Sequence, residues 1–337
     1  MTQLRVFGML KAFVAALFLV AIAAGAANNT TSQELQVALS GVADGFLSTT
    51  DAPIASAFDY LISCQNEDGG FGPKPESESD LKETSMAVIS IAAIGKDPAS
   101  YVKNGKSPVD YLRENHEGLS NLTNAEAHIG RYVVAMASSG LDPSNISGKD
   151  YVKILKGYCS PSGEVGKENY VWDDAWVLMG LAACNQSGSD EAKSALNHLR
   201  GLQTKKGGWT WNGGTEGIDP DTTSIILCAL MSGGEENSSE TVKKALGYLH
   251  SEQNQDGGFS SMGSNAATDG WAIMAINAAD QNPRSWKSES KDPIDHLLSL
   301  QRKDGSIWWK KDSEGFSFEW TANGIIALTG GRMPPSV

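Results

Sequence analysis

The seven residues Gln-Asn-Gln-Asp-Gly-Gly-Phe at positions 253–259 decide how this sequence folds. Similar stretches, each beginning with Gln, occur three more times: 65–71, 203–209 and 301–307. In every copy a Leu lies four residues before the Gln and belongs to an apolar pattern with helical spacing. Two weaker copies, around Leu112 and Leu155, fill the gap between the first and second stretches. The anchoring leucines are 43 to 51 residues apart, a period typical of repeats built from two helices and two loops.

Each repeat has a simple physical logic. The residues before the Gln form an amphipathic helix, which ends at Asp-Gly-Gly because Gly adopts the left-handed conformation without steric cost. We expect the next aromatic residue to turn inward as an anchor, and the four Gln residues to have a structural role: Gln65, Gln203, Gln253 and Gln301. A second segment is apolar nearly all round, which predicts a helix buried on both sides. These apolar runs are 86–94, 176–183, 225–231, 271–279 and 324–328.

Six helix pairs predict an all-α fold, an (α/α)6 toroid with an inner and an outer ring. An open solenoid of the same pairs would need polar caps at its ends. The last apolar run stops near Leu328 without such a cap, which favours a closed ring. We therefore expect one domain over residues 54–332, preceded by a lead-in segment at 28–53.

The N-terminal 27 residues have the pattern of a secretory signal peptide. Arg5 and Lys11 precede or begin an apolar run at 12–22, and the small residues at 24–26 suit cleavage. An uncleaved membrane anchor at 6–27 remains the alternative. Either interpretation predicts an extracytoplasmic protein that is secreted or on the cell surface. The second predicts membrane association through this segment.

Glycosylation sequons and cysteines are compatible with export. The sequons begin at Asn28, Asn29, Asn121, Asn145, Asn185 and Asn237. Of the four cysteines, Cys184 and Cys228 fall late in neighbouring inner segments, so we consider a disulfide between them. A buried free thiol is the alternative for each. The net charge of −13 argues against nucleic acid as a partner.

The Gln-x-x-Asp-Gly-Gly-Phe/Trp copies resemble the repeat of protein prenyltransferases, squalene and terpene cyclases, and corrinoid carriers of the intrinsic factor type. The resemblance covers nearly the whole chain after the N-terminal segment and implies the toroid fold. It does not select a function, because these families share the toroid and differ in what fills it. Protein prenyltransferases hold zinc with Asp, Cys and His. Here His198 and His296 fill a slot where other copies have Tyr, so we expect them to pack and expect no metal or other cofactor.

Residues 219–223, Asp-Pro-Asp-Thr-Thr, are similar to the Asp-x-Asp-Asp-Thr stretch of class II terpene cyclases, with Thr222 replacing the last Asp. The resemblance implies that Asp221 donates a proton to an alkene or epoxide and that Asp219 assists it. Those cyclases tend to pair two helical domains, and this chain has the length for one. A helix cap is the alternative role for Asp221, since Glu126, Asp174, Asp269 and Glu319 recur near the starts of other inner helices.

A central concavity lined by aromatic and acidic side chains is the predicted ligand site. Its candidate residues are Trp172, Asp173, Asp174, Trp176, Thr222, Asp269, Trp271, Glu319, Trp320, His128 and Arg131. The leading hypothesis is an exported protein that binds an apolar or amphipathic small molecule, isoprenoid or corrinoid-like, or a cell-surface protein. The other hypothesis is an isoprenoid cyclase that uses Asp221 as general acid.

Overall fold

The computed structural model describes residues 45–166, 170–313, 315 and 317–335, and over these ranges it consists of twelve α-helices joined by turns. The odd-numbered helices are α1 (Ala52–Ser63), α3 (Pro108–Asn115), α5 (Tyr151–Tyr158), α7 (Asp190–Gly201), α9 (Glu240–Ser251) and α11 (Pro293–Ser299). The even-numbered helices are α2 (Leu81–Ala93), α4 (Ala125–Ser138), α6 (Val171–Ala183), α8 (Pro220–Ser232), α10 (Ala266–Ala278) and α12 (Phe318–Leu328). No strand occurs among the described residues, where β-pairing is limited to isolated bridges. This confirms the predicted all-α fold.

The even helices form a closed inner ring. Each packs against the next, and α12 packs against α2, so the last repeat meets the first. The Ser90 hydroxyl of α2 donates to the Ala322 carbonyl of α12 at 3.0 Å, and Ser317 donates to the Tyr60 hydroxyl of α1 at 2.8 Å. The chain is therefore a toroid rather than an open solenoid.

The repeated Gln stretch joins each repeat to the next. The Gln253 side-chain amide donates to Gly257 O at 2.9 Å in its own turn and to Trp286 O at 2.8 Å near the next outer helix. Gln301 makes the corresponding pair of bonds, and its second acceptor is Pro53 O at 2.7 Å, in the first repeat. The expected structural role of these Gln residues is confirmed.

The first Gly of each turn is required by a close approach as well as by its backbone angle. Gly305 has φ +90°, and a Cβ there would lie 1.9 Å from Ser56 O of α1. Any larger residue would push the last repeat away from the first.

The four cysteines are free, which contradicts the disulfide considered between Cys184 and Cys228. Cys184 lines a crevice together with Leu141 and Asp142. Cys228 is buried and lines a separate cavity of about 560 Å³, together with Met333. The two thiols face different crevices, so neighbouring helices did not bring them together.

The predicted signal peptide, most of the lead-in segment, Asn28 and Asn29 lie outside the described residues. The other four sequon asparagines are all exposed: Asn121, Asn145, Asn185 and Asn237. Among the described residues, no helix is both long and apolar enough to span a bilayer.

Candidate active site at the inner-helix N-termini

The first two turns of the inner helices bring polar and aromatic side chains together at one end of the inner ring. We call this set the mouth cluster. It comprises Lys82, Glu83, His128, Arg131, Tyr170, Trp172, Asp173, Trp176, Asp221, Trp271 and Glu319. All six inner helices contribute, and charges interact across the ring: Glu319 of α12 acts on Asp221 of α8 and on Arg131 of α4.

Asp219, not Asp221, caps helix α8. The Asp219 carboxylate accepts a hydrogen bond from Thr222 N at 2.7 Å, the geometry of an N-cap. Asp221 is the second residue of the helix, and the cap hypothesis for it is therefore wrong. Thr223 anchors the preceding turn, because its hydroxyl accepts from Trp209 N at 3.1 Å.

Asp221 lies in the mouth cluster with one oxygen unsatisfied. Its side chain keeps some exposure, but Oδ1 is sealed from solvent and has no hydrogen-bond partner. Burial raises the pKa of this carboxyl to about 7, and the charges of Asp219 and Glu319 add to the shift. Near neutral pH a large share of Asp221 therefore carries a proton, as a general acid requires.

Three tryptophans form a series of ring contacts that reaches Thr222, the residue after this acid. Trp176 and Trp271 are almost fully buried, and their ring centroids are 5.8 Å apart in an edge-to-face arrangement. Trp172 makes a similar contact with Trp271 at 6.5 Å, and its Nε1 donates to the Thr222 hydroxyl at 3.3 Å. Thr222 thus orients an aromatic wall next to Asp221.

Two cations and two more acids occupy the α2, α4 and α12 side. Lys82 forms an ion pair of 2.5 Å with Glu319. The Arg131 guanidinium lies over the Trp176 ring, 4.6 Å from its centroid. Burial raises the pKa of Glu83 to about 7, although Lys82 lies 3.8 Å away and opposes the shift.

His128 is neutral at physiological pH. Burial, followed by the positive charges of Arg131 and Lys82, lowers its pKa to about 4. Asp173 is buried on α6 and acts electrostatically on Tyr170. Of the predicted cavity residues, the mouth cluster contains His128, Arg131, Trp172, Asp173, Trp176, Trp271 and Glu319, and Thr222 is bonded to Trp172.

Two predicted cavity residues belong elsewhere. Asp269 accepts from Phe259 N at 2.8 Å and pairs with His296 of α11 at 2.5 Å, so it faces the outer ring. Asp174 accepts from Val165 N at 2.9 Å in the same way. Each lies four residues beyond its N-cap position, whereas Asp221 lies two beyond, and this offset turns the side chains to different faces.

Trp320 is half-buried in the first turn of α12, and within the described residues no ring contact joins it to the other tryptophans. Lys82, Glu83 and Tyr170 are not among the residues predicted from the sequence. Its first inner helix began at residue 86, which left Lys82 and Glu83 in a loop. A polar first turn before an apolar run was the signal that could have found them.

Two family models match most of the chain. The one described as the squalene-hopene cyclase C-terminal domain matches residues 175–321, and the prenyltransferase alpha-alpha toroid domain matches 33–118 and 54–160. Drimenyl diphosphate synthase from Streptomyces showdoensis is 25% identical over 237 residues, 66% of this chain and 44% of the relative. The chain therefore spans less than half the length of that relative.

Solved structures with this fold include type II terpene cyclases. The apo structure of MstE from Scytonema has a TM-score of 0.54 and 18% identity, covering 82% of this chain and 96% of MstE. The ent-copalyl diphosphate synthase of Streptomyces platensis has a TM-score of 0.50 and 15% identity, covering 74% and 50%. The MstE match shows that one toroid of this size occurs among type II cyclases, so the expected pairing of two helical domains is not general. The two family models together cover most of residues 33–321, and with the closed ring of helix pairs they show that the chain belongs to the repeat family of prenyltransferases and squalene–terpene cyclases.

Proposed function

We propose that the protein is a type II terpene cyclase-like isomerase in which Asp221 protonates an alkene of an isoprenoid chain. The observation that carries this proposal is the Asp221 carboxyl, which has a sealed, unpartnered oxygen and a pKa of about 7. The next residue, Thr222, accepts a hydrogen bond from Trp172, which contacts Trp271. A carboxyl engaged in capping would accept a backbone hydrogen bond, as that of Asp219 does.

The proposed reaction needs no cofactor. The Asp221 O–H bond breaks, its proton forms a C–H bond at the alkene, and the neighbouring carbon becomes a carbocation. The electrons of a second alkene then close the ring, and loss of a proton to water leaves an alkene product. Asp221 regains a proton from water, so the net reaction is an isomerisation. The faces of Trp172, Trp176 and Trp271 would stabilise the cation and exclude water.

The relatives support this chemistry class. The squalene-hopene cyclase domain model matches the half of the chain that contains Asp221. MstE has been solved with geranylgeranyl dihydroxybenzoate as substrate and with merosterolic acid A as product. A long apolar isoprenoid is accordingly the proposed partner of this chain.

Turnover in D2O tests the proposal directly. Purified protein would be incubated with farnesyl diphosphate, geranylgeranyl diphosphate or squalene, and the products analysed by mass spectrometry. We expect a cyclised isomer carrying one solvent deuterium. Asp221→Asn should reduce its formation by about 10³-fold with an unchanged melting temperature, because an amide supplies no acidic proton.

Asp190→Asn is the matched control. Asp190 is exposed in the first turn of outer helix α7, so the same substitution there should leave turnover unchanged. A cyclised product without deuterium, or one still formed at the wild-type rate by Asp221→Asn, would contradict the proposal.

A binding protein without turnover is the second candidate. Thr222 favours it, since the class II stretch that residues 219–223 resemble has Asp at this position. Equilibrium binding of these isoprenoids without any product, in both wild type and Asp221→Asn, would support this candidate instead.

A further inference from the structure

A cavity of about 560 Å³ lies at the end of the inner ring opposite the mouth cluster. The C-terminal ends of α6, α8 and α10 and the segment 332–335 form most of its wall. Cys228 of α8 belongs to this wall and is seven residues beyond Asp221, about 10 Å further along the helix axis. The cavity is therefore distinct from the proposed cyclase site.

Three sulfur-containing side chains border this cavity: Cys228, Met231 and Met333. Cys228 and Met231 lie three residues apart on α8 and therefore share one face of the helix. Met333 comes from the C-terminal segment, and its backbone N–H donates a hydrogen bond to the Cys228 sulfur. Cys228 and Met333 are buried, whereas Met231 keeps partial exposure. One thiol and two thioethers thus border the same space from two elements of the chain.

The surroundings of the Cys228 sulfur suit a bound cation. The negative ends of three helix dipoles converge on the cavity, because α6, α8 and α10 all end there. Burial raises the pKa of the Cys228 thiol to about 12, but the Met333 N–H opposes this shift because it stabilises the thiolate. A coordinating metal ion deprotonates a thiol outright, and a hydrogen bond to the coordinating sulfur then supports the metal site.

The oxygen ligands on the same wall are engaged in other contacts. The Glu235 carboxylate pairs with Arg200, and Asp280 accepts a hydrogen bond from the Asn237 side chain. Arg332 is exposed, so water screens its positive charge. Over the described residues, no group of three His, Cys, Asp or Glu side chains could hold a metal ion. The three sulfur atoms are therefore the ligands that this cavity offers, and they are soft ligands.

We propose that Cys228, Met231 and Met333 bind one Cu(I) ion in this cavity. Thiolate and thioether ligands favour Cu(I), whereas Mg²⁺ and Ca²⁺ take oxygen ligands and structural Zn²⁺ takes four Cys, His or carboxylate ligands. The expectation of no metal rested on zinc ligands, which do not include Met. The proposal is independent of the cyclase reaction, and its consequence is that the ion ties the C-terminal segment to α8.

The binding step needs no oxidant or reductant. The Cys228 S–H bond breaks, its proton goes to solvent, and an S–Cu bond forms in its place. The two Met sulfurs each donate a lone pair and keep their neutral charge. Copper remains Cu(I) throughout, so binding releases one proton per ion.

Competition for Cu(I) tests this site. The reduced, full-length protein would be titrated under anaerobic conditions against the Cu(I) complex of bathocuproine disulfonate, whose absorbance reports how much copper the protein removes. We expect one tightly bound equivalent. Cys228→Ser should weaken the affinity at least about 100-fold, and Met231→Leu and Met333→Leu about tenfold each, because each variant removes one sulfur ligand and nearly keeps its volume.

Cys184→Ser and Met262→Leu are the matched controls. Cys184 lines a different crevice, and Met262 is 80% exposed in the turn before α10, so both variants should bind like the wild type. The proposal is overturned if the wild type removes no copper, if Cys228→Ser binds as tightly, or if Cys184→Ser loses as much. Unchanged affinity in both Met231→Leu and Met333→Leu would leave a lone thiol and overturn it as well.

Thermal stability gives an independent readout with Ag(I), a soft ion that does not change its oxidation state here. One equivalent of Ag(I) should raise the melting temperature of the wild type, because a ligand that binds only the folded chain stabilises it. Met333→Leu should melt like the wild type without the ion and gain less from it. An equal gain in Met333→Leu would show that the C-terminal segment is not tied by the ion, and an equal gain with Zn²⁺ would contradict a soft site.

Discussion

Asp221 and Asp269 begin neighbouring inner helices, yet their surroundings are opposite. Asp269 has no exposure, accepts from Phe259 N and pairs with His296 of the outer ring. Asp221 has an oxygen without any partner and interacts across the inner ring with Glu319. A two-residue difference in helix position rotates a side chain by about 200°, enough to move it from the outer to the inner face. The position of an acid in the repeat therefore separates a structural role from a chemical one.

The residue four positions after the N-cap, which is Asp269 in α10, pairs with the outer ring in one of two ways. In α6 and α10 the residue is Asp, and the facing outer helix contributes His198 or His296. In α2, α8 and α12 the residue is a Thr whose hydroxyl holds the aromatic turn, and the outer helix contributes Tyr111, Tyr248 or Tyr60. Burial opposes the imidazolium of His296, but Asp269 and Asp256 outweigh it and raise the His296 pKa. In α6 and α10 this Asp therefore helps to hold the outer helix against the inner helix. The expected packing role of His198 and His296 is confirmed.

Removing the two carboxylates should have unequal consequences for stability. Asp269→Ala strips the acceptor from the buried Phe259 N and the partner from His296, so we expect the free energy of unfolding to fall by about 3 kcal/mol. Asp221→Ala removes an unpartnered carboxyl and should cost less than about 1 kcal/mol. Urea denaturation of both variants measures the difference. A larger loss for Asp221→Ala than for Asp269→Ala would reverse the assignment of roles.

The pH dependence of turnover should report Asp221 alone. Its pKa is raised to about 7, so the reactive protonated form dominates below that pH and is lost above it. We expect kcat/KM to be flat at acidic pH and to fall about tenfold per pH unit well above 7. Asp269→Asn should leave the position of this limb unchanged, because Asp269 faces the outer ring. A limb near pH 4 would show that the acid is an ordinary exposed carboxyl.

The sequence predicted the architecture because the signals that build it are repeated. Asp-Gly-Gly stops, anchoring leucines and apolar runs recur through the chain and agree with one another, so the toroid and its closure followed. The site was harder because each inner helix begins a turn or more earlier than its apolar run. Helix α8 starts at Pro220 rather than 225, and α12 at Phe318 rather than 324. Helix α2 likewise starts at Leu81 rather than 86, and its omitted polar turn carries Lys82 and Glu83, which the sequence did not predict.

The roles of individual acids could not be read from composition. Sequence spacing grouped Asp174 and Asp269 with Asp221, because all three precede apolar runs. The face of the helix that each Asp occupies depends on which residue is the N-cap. In α8 one hydrogen bond, from Thr222 N to Asp219, identifies that residue. In the sequence, the capping residue Asp219 and the catalytic candidate Asp221 are both Asp and lie two positions apart. Residue type therefore does not distinguish their roles.

The smallest expected effect concerns Asp219, which caps helix α8 and also helps to raise the pKa of Asp221. Asp219→Ala removes the cap of α8 and should cost about 1 kcal/mol of unfolding free energy, whereas Asp219→Asn should cost a few tenths. Asn265→Ala, at the corresponding cap of α10, should match the first value, since Asn265 accepts from Thr268 N at 3.0 Å. Chemical denaturation resolves both.

Asp219→Asn should also affect the acid without breaking the helix. The negative charge of Asp219 helps to raise the pKa of Asp221, so removing that charge favours ionisation and lowers the Asp221 pKa. The alkaline limb of kcat/KM should therefore move to lower pH, while Asn265→Asp at the α10 cap leaves it in place. An unmoved limb in Asp219→Asn would mean that burial alone sets the acidity of Asp221, and a limb shifted upward would contradict the like-charge coupling.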